Sequence, residues 1–167
     1  MTEFAPKSID QYAAGRLSTA EIQKASNSLI ARFRIAFMND EECTKAMGKA
    51  WLHFQDRVHF VAGEDDYDVS FKPYQTFDYG EDHFAVIGED LRIRKKQVTS
   101  PSESYEEELW IRSDNRKSKF GEPSPTIELK SPDWEAVWGT EKAIIKAEEF
   151  LSRIEAAHDA GIIRVIE

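Results

Sequence analysis

The sequence has a single cysteine and no long apolar run. Cys43 has no second cysteine with which to form an intrachain disulfide or a multi-cysteine zinc site, which is typical of a reducing compartment. No stretch approaches the roughly 18 apolar residues of a membrane helix. The first residues also lack the basic-then-apolar order of a signal peptide. Together these absences predict a soluble cytoplasmic protein without a membrane segment.

Motifs that hold phosphate or zinc are also missing. The eight glycines never approach Gly-x-Gly-x-x-Gly or the Lys-Ser/Thr ending of a phosphate loop. The four histidines form no His-Glu-x-x-His motif. We therefore expect no cofactor and no resident metal.

Basic residues are scarce in the middle of the chain. Residues 61–108 hold 13 Asp and Glu against 5 Lys and Arg, a net charge of −8 out of −9 for the whole chain. Direct nucleic-acid binding is not expected, because phosphate binding needs a basic footprint. The acidic middle instead favours a protein partner with a basic surface.

The first third of the chain predicts two helices. Ser18 and Glu21 have the spacing of a capping box, and Asn39 and Asp40 offer a second N-cap ahead of two acidic residues. Apolar residues recur at helical spacing behind both caps. We expect an N-terminal helical hairpin whose core positions are Ile22, Ala25, Leu29, Phe33, Ala36, Cys43, Met47, Ala50, Trp51, Phe54 and Val58.

The remainder of the chain predicts a sheet and a last helix. Leu91 and Ile93 alternate with basic residues, and Gly-Glu-Asp at 88–90 reads as the turn between two strands. Two shorter strand candidates follow, giving a small, mostly antiparallel sheet of three to five strands. Residues 141–160 predict a helix that ends at Gly161 and is followed by a short, buried strand. The expected fold is one α+β domain over residues 1–167, with 1–17 extended or partly ordered.

Four carboxylates stand within five positions at Glu64, Asp65, Asp66 and Asp68. The spacing does not fit a calcium EF-hand loop, because neither register supplies the required glycine and final acid. Solvated turns, another kind of cation site and a face for a partner remain as interpretations.

Aromatic residues interleave with these acids, as they do at protein interfaces. Rings supply buried area, and carboxylates orient a basic partner and speed its encounter. A strand pair with one buried face would show the same pattern. The candidate partner-binding residues are Glu64, Asp65, Asp66, Tyr67, Asp68, Tyr79, Glu81 and Asp82. The expected function is non-enzymatic: an inhibitor, an immunity-type protein or a nucleic-acid mimic that engages a basic macromolecular partner.

An enzymatic alternative rests on Glu128 and Lys130, which flank Leu129 at the end of a strand candidate. This tripeptide resembles the Glu-x-Lys half of the restriction-endonuclease-like nuclease core. The resemblance implies a metal-dependent nuclease or phosphodiesterase in which acids bind magnesium and the lysine polarises water or phosphate. Such a core needs an upstream acid, for which Asp114 and Asp90 are the candidates. A simple charge pair on a strand explains the same residues.

Two further features leave structural and binding roles open. Trp134 and Trp138 would share one side of a helical turn, either as core, which we favour, or as an anchor pair for a partner. Cys43 beside Met47 is expected to be a buried small hydrophobe. A third function, as a subunit of a larger assembly, would use the aromatic residues against sister chains.

The expected binding face predicts a salt-sensitive interaction. Changing Asp65, Asp66 and Asp68 to Asn or Ser should weaken binding to a basic partner, because charge that steers the encounter is lost. Titration of the partner at rising salt measures the effect. Binding that ignores salt would contradict this expectation.

Overall fold

A computed structural model describes residues 16–39, 41–52, 58–63, 65–78, 83–96, 105–117, 121–131, 134–161 and 163–166. Within these ranges the chain forms three helices: α1 (Thr19–Phe37), α2 (Glu41–Leu52) and α3 (Glu141–Asp159). The strands are β1 (Val58–Ala62), β2 (Asp65–Asp78), β3 (His83–Lys96), β4 (Tyr105–Arg112), β5 (Thr126–Ser131), β6 (Trp134–Trp138) and β7 (Ile163–Ile166).

The sheet is an antiparallel meander. The strand order is β6-β5-β4-β3-β2-β1-β7: strands β1 to β6 are neighbours in chain order, and β7 pairs with β1 at the other edge. The predicted α+β class is confirmed, but three to five strands is too few. The long β2–β3 pairing, from Tyr67 with Lys95 to Asp78 with His83, contains segments expected to be turns.

The helix α1 begins at the predicted capping box, but it packs against a different helix from the one predicted. Ser18 and Glu21 form the expected capping box. The predicted helical hairpin is wrong, because the helix that packs along α1 is α3 and not α2. Arg32 of α1 reaches Glu155 of α3 at 2.6 Å, while α2 lies over β1 and β7. The predicted second helix also ends early: Val58 already belongs to β1, and Phe54 lies outside the described residues.

The core lies between α1, α3 and one face of the sheet. The predicted residues Leu29, Phe33, Leu91, Ile93 and Ile154 are buried there, and Cys43 is also buried in this cluster. A chain of ring contacts, with centroids 4.6–5.9 Å apart, joins the helices to β1 and β2. It consists of Phe33, Phe37, Phe60, Tyr67 and Phe150.

Gly-Glu-Asp at 88–90 is not a turn, contrary to the prediction. These residues lie inside the continuous strand β3, next to a bulge between Tyr74 and Gln75 of β2. A Cβ on Gly88 would lie 1.9 Å from the backbone oxygen of Ser113. The glycine is therefore needed for a close approach of two backbone segments.

Residues 134–138 form the strand β6 rather than a helical turn. Trp138 is 43% exposed, and the Arg16 guanidinium lies 4.0 Å from its ring centroid. The prediction that Trp138 belongs to the core is therefore wrong. After α3, the chain turns at Gly161, which has a positive φ of 70°, and Ile163–Ile166 pairs with β1 at the edge of the sheet.

None of the described helices is long and apolar enough to cross a membrane. The compartment stays a prediction.

The packing of α3 predicts a matched pair of stability changes. Ile154→Ala removes a fully buried side chain and should lower the free energy of unfolding by about 2–5 kcal/mol. Ile145→Ala, at a half-exposed position of the same helix, should change it by less than about 0.5 kcal/mol. Urea unfolding of both variants measures the difference, and equal losses would contradict this account of the core.

Candidate functional site

The sheet has a second face on which none of the described helices packs. Side chains alternate along a strand, so the residues between the buried core positions of β1–β5 point to this side. We call it the open sheet face. Its residues are His59, Asp66, Asp68, Asp90, Arg92, Arg94, Lys96, Tyr105, Glu108, Trp110, Arg112, Glu128 and Lys130.

A ladder of alternating charge crosses this face. Asp68, Arg94, Glu108 and Lys130 stand opposite one another on four consecutive strands. Glu108 binds Arg94 at 2.6 Å and Lys130 at 3.0 Å. Such cross-strand pairs contribute roughly 0.2–1 kcal/mol each and also hold the long basic side chains in place.

The acids of the ladder lie deeper than the bases. The side chains of Asp68 and Glu108 are 5% and 16% exposed, against 32% for Arg94 and 55% for Lys130. Asp68 accepts a hydrogen bond from Tyr105 Oη at 3.2 Å, and Lys96 lies 3.7 Å from it. A molecule that approaches this part of the sheet therefore meets cationic groups before it meets carboxylates.

Next to the ladder, Trp110 is enclosed by arginine. The Arg92 and Arg112 guanidinium carbons lie 4.3 Å and 5.1 Å from its ring centroid. Asp90 accepts hydrogen bonds from Trp110 Nε1 at 2.6 Å and from Arg112 at 2.9 Å. One carboxylate thus fixes both a ring and a guanidinium.

Tyr74 joins this cluster to the loop after β4. Arg112 stacks on the Tyr74 ring at 4.1 Å, and Arg116 donates a hydrogen bond to Tyr74 Oη at 2.7 Å. Arg112 Nε is buried without a hydrogen-bond partner among the described residues. Stacking and the contact with Asp90 therefore hold Arg112.

Asp114 anchors the loop after β4. It is fully buried and accepts hydrogen bonds from the side chain and backbone N–H of Arg116 and from the backbone N–H of Ser124. Burial alone would raise the pKa of Asp114, but these hydrogen bonds outweigh it and hold the pKa below 3.8. The carboxylate is therefore ionised and keeps Arg116 in one orientation.

A cleft of about 770 Å³ lies where the β2–β3 ribbon extends past the last turn of α1. We call it the ribbon-end cleft. Its basic lining residues are Arg34, Lys72, Arg116 and Lys117, with Glu89 and Asn115 beside them. Its apolar lining residues are Phe71, Pro73, Ala85, Val86 and Ile87, beside Gly88.

The predicted acidic face is divided by the alternation of β2. Asp65 and Tyr67 lie on the helix-covered side, and Tyr67 is buried in the core, where burial raises its pKa to about 12. Asp66 and Asp68 point to the open sheet face, and Asp68 is buried. Glu64, Tyr79, Glu81 and Asp82 lie outside the described residues. The solvated-turn interpretation fails for Asp65, Asp66 and Asp68, since all three are in a strand.

The residues of the nuclease alternative are engaged elsewhere. Lys130 binds Glu108, Asp114 binds Arg116, and Asp90 binds Arg112 and Trp110. Across the described part of the chain, no three His, Cys, Asp or Glu side chains come together as a metal-binding group.

Most of the candidate site could not be recognised from the sequence. The alternation of Leu91 and Ile93 with Arg92 and Arg94 did indicate a basic stripe on one side of β3. No local pattern could show which side chains on other strands lie beside this stripe, because those contacts depend on the strand order. Trp110, the charge ladder across four strands and the loop at 113–117 are examples.

No protein-family model matches the chain, and no curated protein or solved structure is significantly similar to it. The proposals below therefore depend on geometry and chemistry alone.

The buried Asp114 predicts a pH-dependent loss of stability. Its folded-state pKa is below the unfolded value, so it contributes stability that is present above about pH 4 and is lost as the pH falls through the lower folded-state pKa. Asp114→Asn should therefore destabilise the protein by about 1–3 kcal/mol at neutral pH and by progressively less as the pH falls below about 4.

Thermal unfolding of both proteins across this pH range measures the difference. The control is Asp159→Asn, whose side chain is exposed and should leave the stability unchanged. A gap between wild type and Asp114→Asn that persists at low pH would count against the ionised pair.

Proposed function

We propose that this protein is a non-enzymatic binding protein that engages an acidic protein segment through the open sheet face. The observation that carries the proposal is the gathering of Arg92, Arg94, Arg112, Trp110 and Tyr105 on a face that no described helix covers. Tryptophan, tyrosine and arginine are the residues that dominate binding energy at protein interfaces.

These side chains are already ordered by their neighbours. Arg94 lies 5.2 Å from the Tyr105 ring centroid and binds Glu108, and Arg92 stacks on Trp110. Binding normally loses free energy to the immobilisation of long side chains, about 0.5–1.5 kcal/mol for each. An arginine held in place before the encounter loses less, so this face is suited to association.

The expected charge of the partner follows from how deeply the acidic and basic side chains of the ladder are buried. A carboxylate that approaches the ladder reaches Arg94 and Lys130 first, and their guanidinium and ammonium groups can each donate further hydrogen bonds. A basic group would meet these cations before Asp68 or Glu108. An acidic segment is therefore favoured over the basic partner expected from the sequence.

A protein segment is favoured over nucleic acid because of the whole-chain charge. The net charge of −9 repels a long polyanion, which gains its affinity from many phosphate contacts. A short acidic stretch makes only local contacts. A recess of about 440 Å³ lined by Tyr105, Glu107, Glu108, Lys130 and Ser131 lies at this end of the sheet and offers room for one protruding side chain.

The other functions stay as predictions with less support from the geometry. Within the described part of the acidic segment, a basic partner would meet Asp65 and Asp66, since Tyr67 and Asp68 are buried. Use of Glu128 and Lys130 as a nuclease pair would require Lys130 to leave Glu108. Assembly with sister chains could use the same open sheet face.

The proposal predicts that two arginines decide binding. The double variant Arg92→Gln, Arg94→Gln should lose at least about tenfold in affinity for polyglutamate, because each charge-assisted hydrogen bond contributes about 1.5–3 kcal/mol. The matched control is Lys24→Gln, Lys142→Gln, which removes the same charge at exposed helix positions. Fluorescence anisotropy with labelled polyglutamate measures both, and thermal unfolding checks that each variant is folded.

Three outcomes would overturn the proposal. These are no binding of polyglutamate to wild type, an equal loss of affinity in the two double variants, and tighter binding of single-stranded oligonucleotide than of polyglutamate with the same dependence on Arg92 and Arg94. Light scattering of wild type over a range of concentrations reports self-association, and a dimer abolished by the arginine variant would favour the assembly function instead.

A further inference from the structure

The ribbon-end cleft is a second concave site and shares no contact residue with the charge ladder. It lies between the last turn of α1, the β2–β3 ribbon and the 113–117 loop. Its size falls in the usual range for small-molecule sites, about 300–1,000 Å³.

The cleft has a local charge opposite to that of the chain. Arg34, Lys72, Arg116 and Lys117 line it with one acid, Glu89, whereas the whole sequence carries −9. Four basic side chains make the lining cationic overall, although Arg34 is paired with Glu89 and Arg116 with Asp114. The arrangement therefore fits an anionic ligand.

Two of the basic side chains are held in place. Arg116 is fixed by the buried Asp114 and by Tyr74 Oη, and Arg34 pairs with Glu89. The loop that carries Arg116 is tied to α1, because Asn115 Oδ1 accepts hydrogen bonds from Gln23 at 2.7 Å and from Asn27 at 3.2 Å. The cationic lining is thus built by the fold rather than formed by loose lysines alone.

The cleft also has apolar lining residues, one of which is largely exposed to water. They are Phe71, Pro73, Ala85, Val86 and Ile87, and Val86 is 61% exposed. An exposed apolar strip beside a charged pocket is typical of sites for amphiphilic ligands, in which polar groups fix the head and the strip shields the tail from water.

Gly88 allows the loop at 113–117 to lie close to strand β3, and both segments line the cleft. The backbone of Ser113 donates to Glu89 O at 2.9 Å and that of Asn115 donates to Ile87 O at 2.8 Å, on either side of Gly88. A side chain at position 88 would collide with Ser113. The close contact therefore sets the position of Arg116 and Lys117 relative to Val86 and Ile87.

We propose that the ribbon-end cleft binds a small amphiphilic anion, with its carboxylate or phosphate head at Arg34, Arg116 and Lys117 and its apolar tail along Val86 and Ile87. This site is independent of the acidic partner proposed for the open sheet face, and either can be present without the other.

Isothermal titration calorimetry with four probes tests the proposal. Octanoate and octyl phosphate carry both a tail and a charge, octanol lacks the charge and acetate lacks the tail. We expect one or both amphiphiles to bind at least about tenfold more tightly than octanol and acetate, because each lacks one of the two sets of contacts. The tighter of the two amphiphiles identifies the head group.

Two conservative variants locate the site. Lys117→Gln removes an exposed charge, and Val86→Thr keeps the shape of an exposed residue while making it polar, so neither should unfold the protein. Each should weaken the binding of the amphiphile severalfold, and Arg116→Gln should weaken it further. The double variant Arg92→Gln, Arg94→Gln on the open sheet face should bind as wild type does.

The proposal is overturned by any of three results. These are no binding of either amphiphile to wild type, binding of octanol or acetate as tight as that of the amphiphiles, and unchanged binding in both Lys117→Gln and Val86→Thr. Loss of binding in the open-face variant but not in these two would move the site to the sheet.

Discussion

The burial of a single face of the sheet is the constraint on which the rest of the structure depends. Helices α1 and α3 cover Leu91, Ile93 and their neighbours, so every second residue of the central strands is committed to the core. The residues between them have to lie on the other side, whatever their charge. The packing of the helices on one face therefore creates the hydrophobic core. It also places arginine, carboxylate and aromatic side chains together on the open sheet face.

This constraint explains why the net charge along the sequence does not describe the charge that the open sheet face presents. The segment 61–108 is acidic as a whole, yet in the charge ladder of the open sheet face Asp68 and Glu108 are more buried than Arg94 and Lys130. Asp68 and Glu108 act on the surface indirectly, by orienting Tyr105 and Arg94. A sum of formal charges along the sequence contains no information about depth, and depth decides which charge a partner meets.

The local features of the fold could be predicted, and the long-range ones could not. The capping box at Ser18, the stripe of α3 and the alternation around Leu91 are written in neighbouring residues, because helices and strands have fixed periods. The packing of α3 on α1 and the pairing of β7 with β1 depend on contacts between segments more than one hundred residues apart. The role of Gly88 could not be predicted for the same reason. A glycine is required there because a side chain would collide with Ser113, and not because the chain turns.

The candidate sites follow the same division. Asp114 and Arg116 are neighbours in sequence, and their pairing could have been suspected, but Tyr74 and the cleft beside it could not. Both surfaces are assembled from residues on three or more elements. A strand or loop considered alone does not reveal either of them.

The packing of α1 against α3 also has a consequence for folding during synthesis on the ribosome. Six strands that follow one another as hairpins can form early, whereas α3 emerges after all of them. During that interval much of the apolar face that α3 will cover is open to water and to other nascent chains. Fast release of residues 141–159 from the ribosome, or a chaperone that shields the sheet until they arrive, would shorten that exposure.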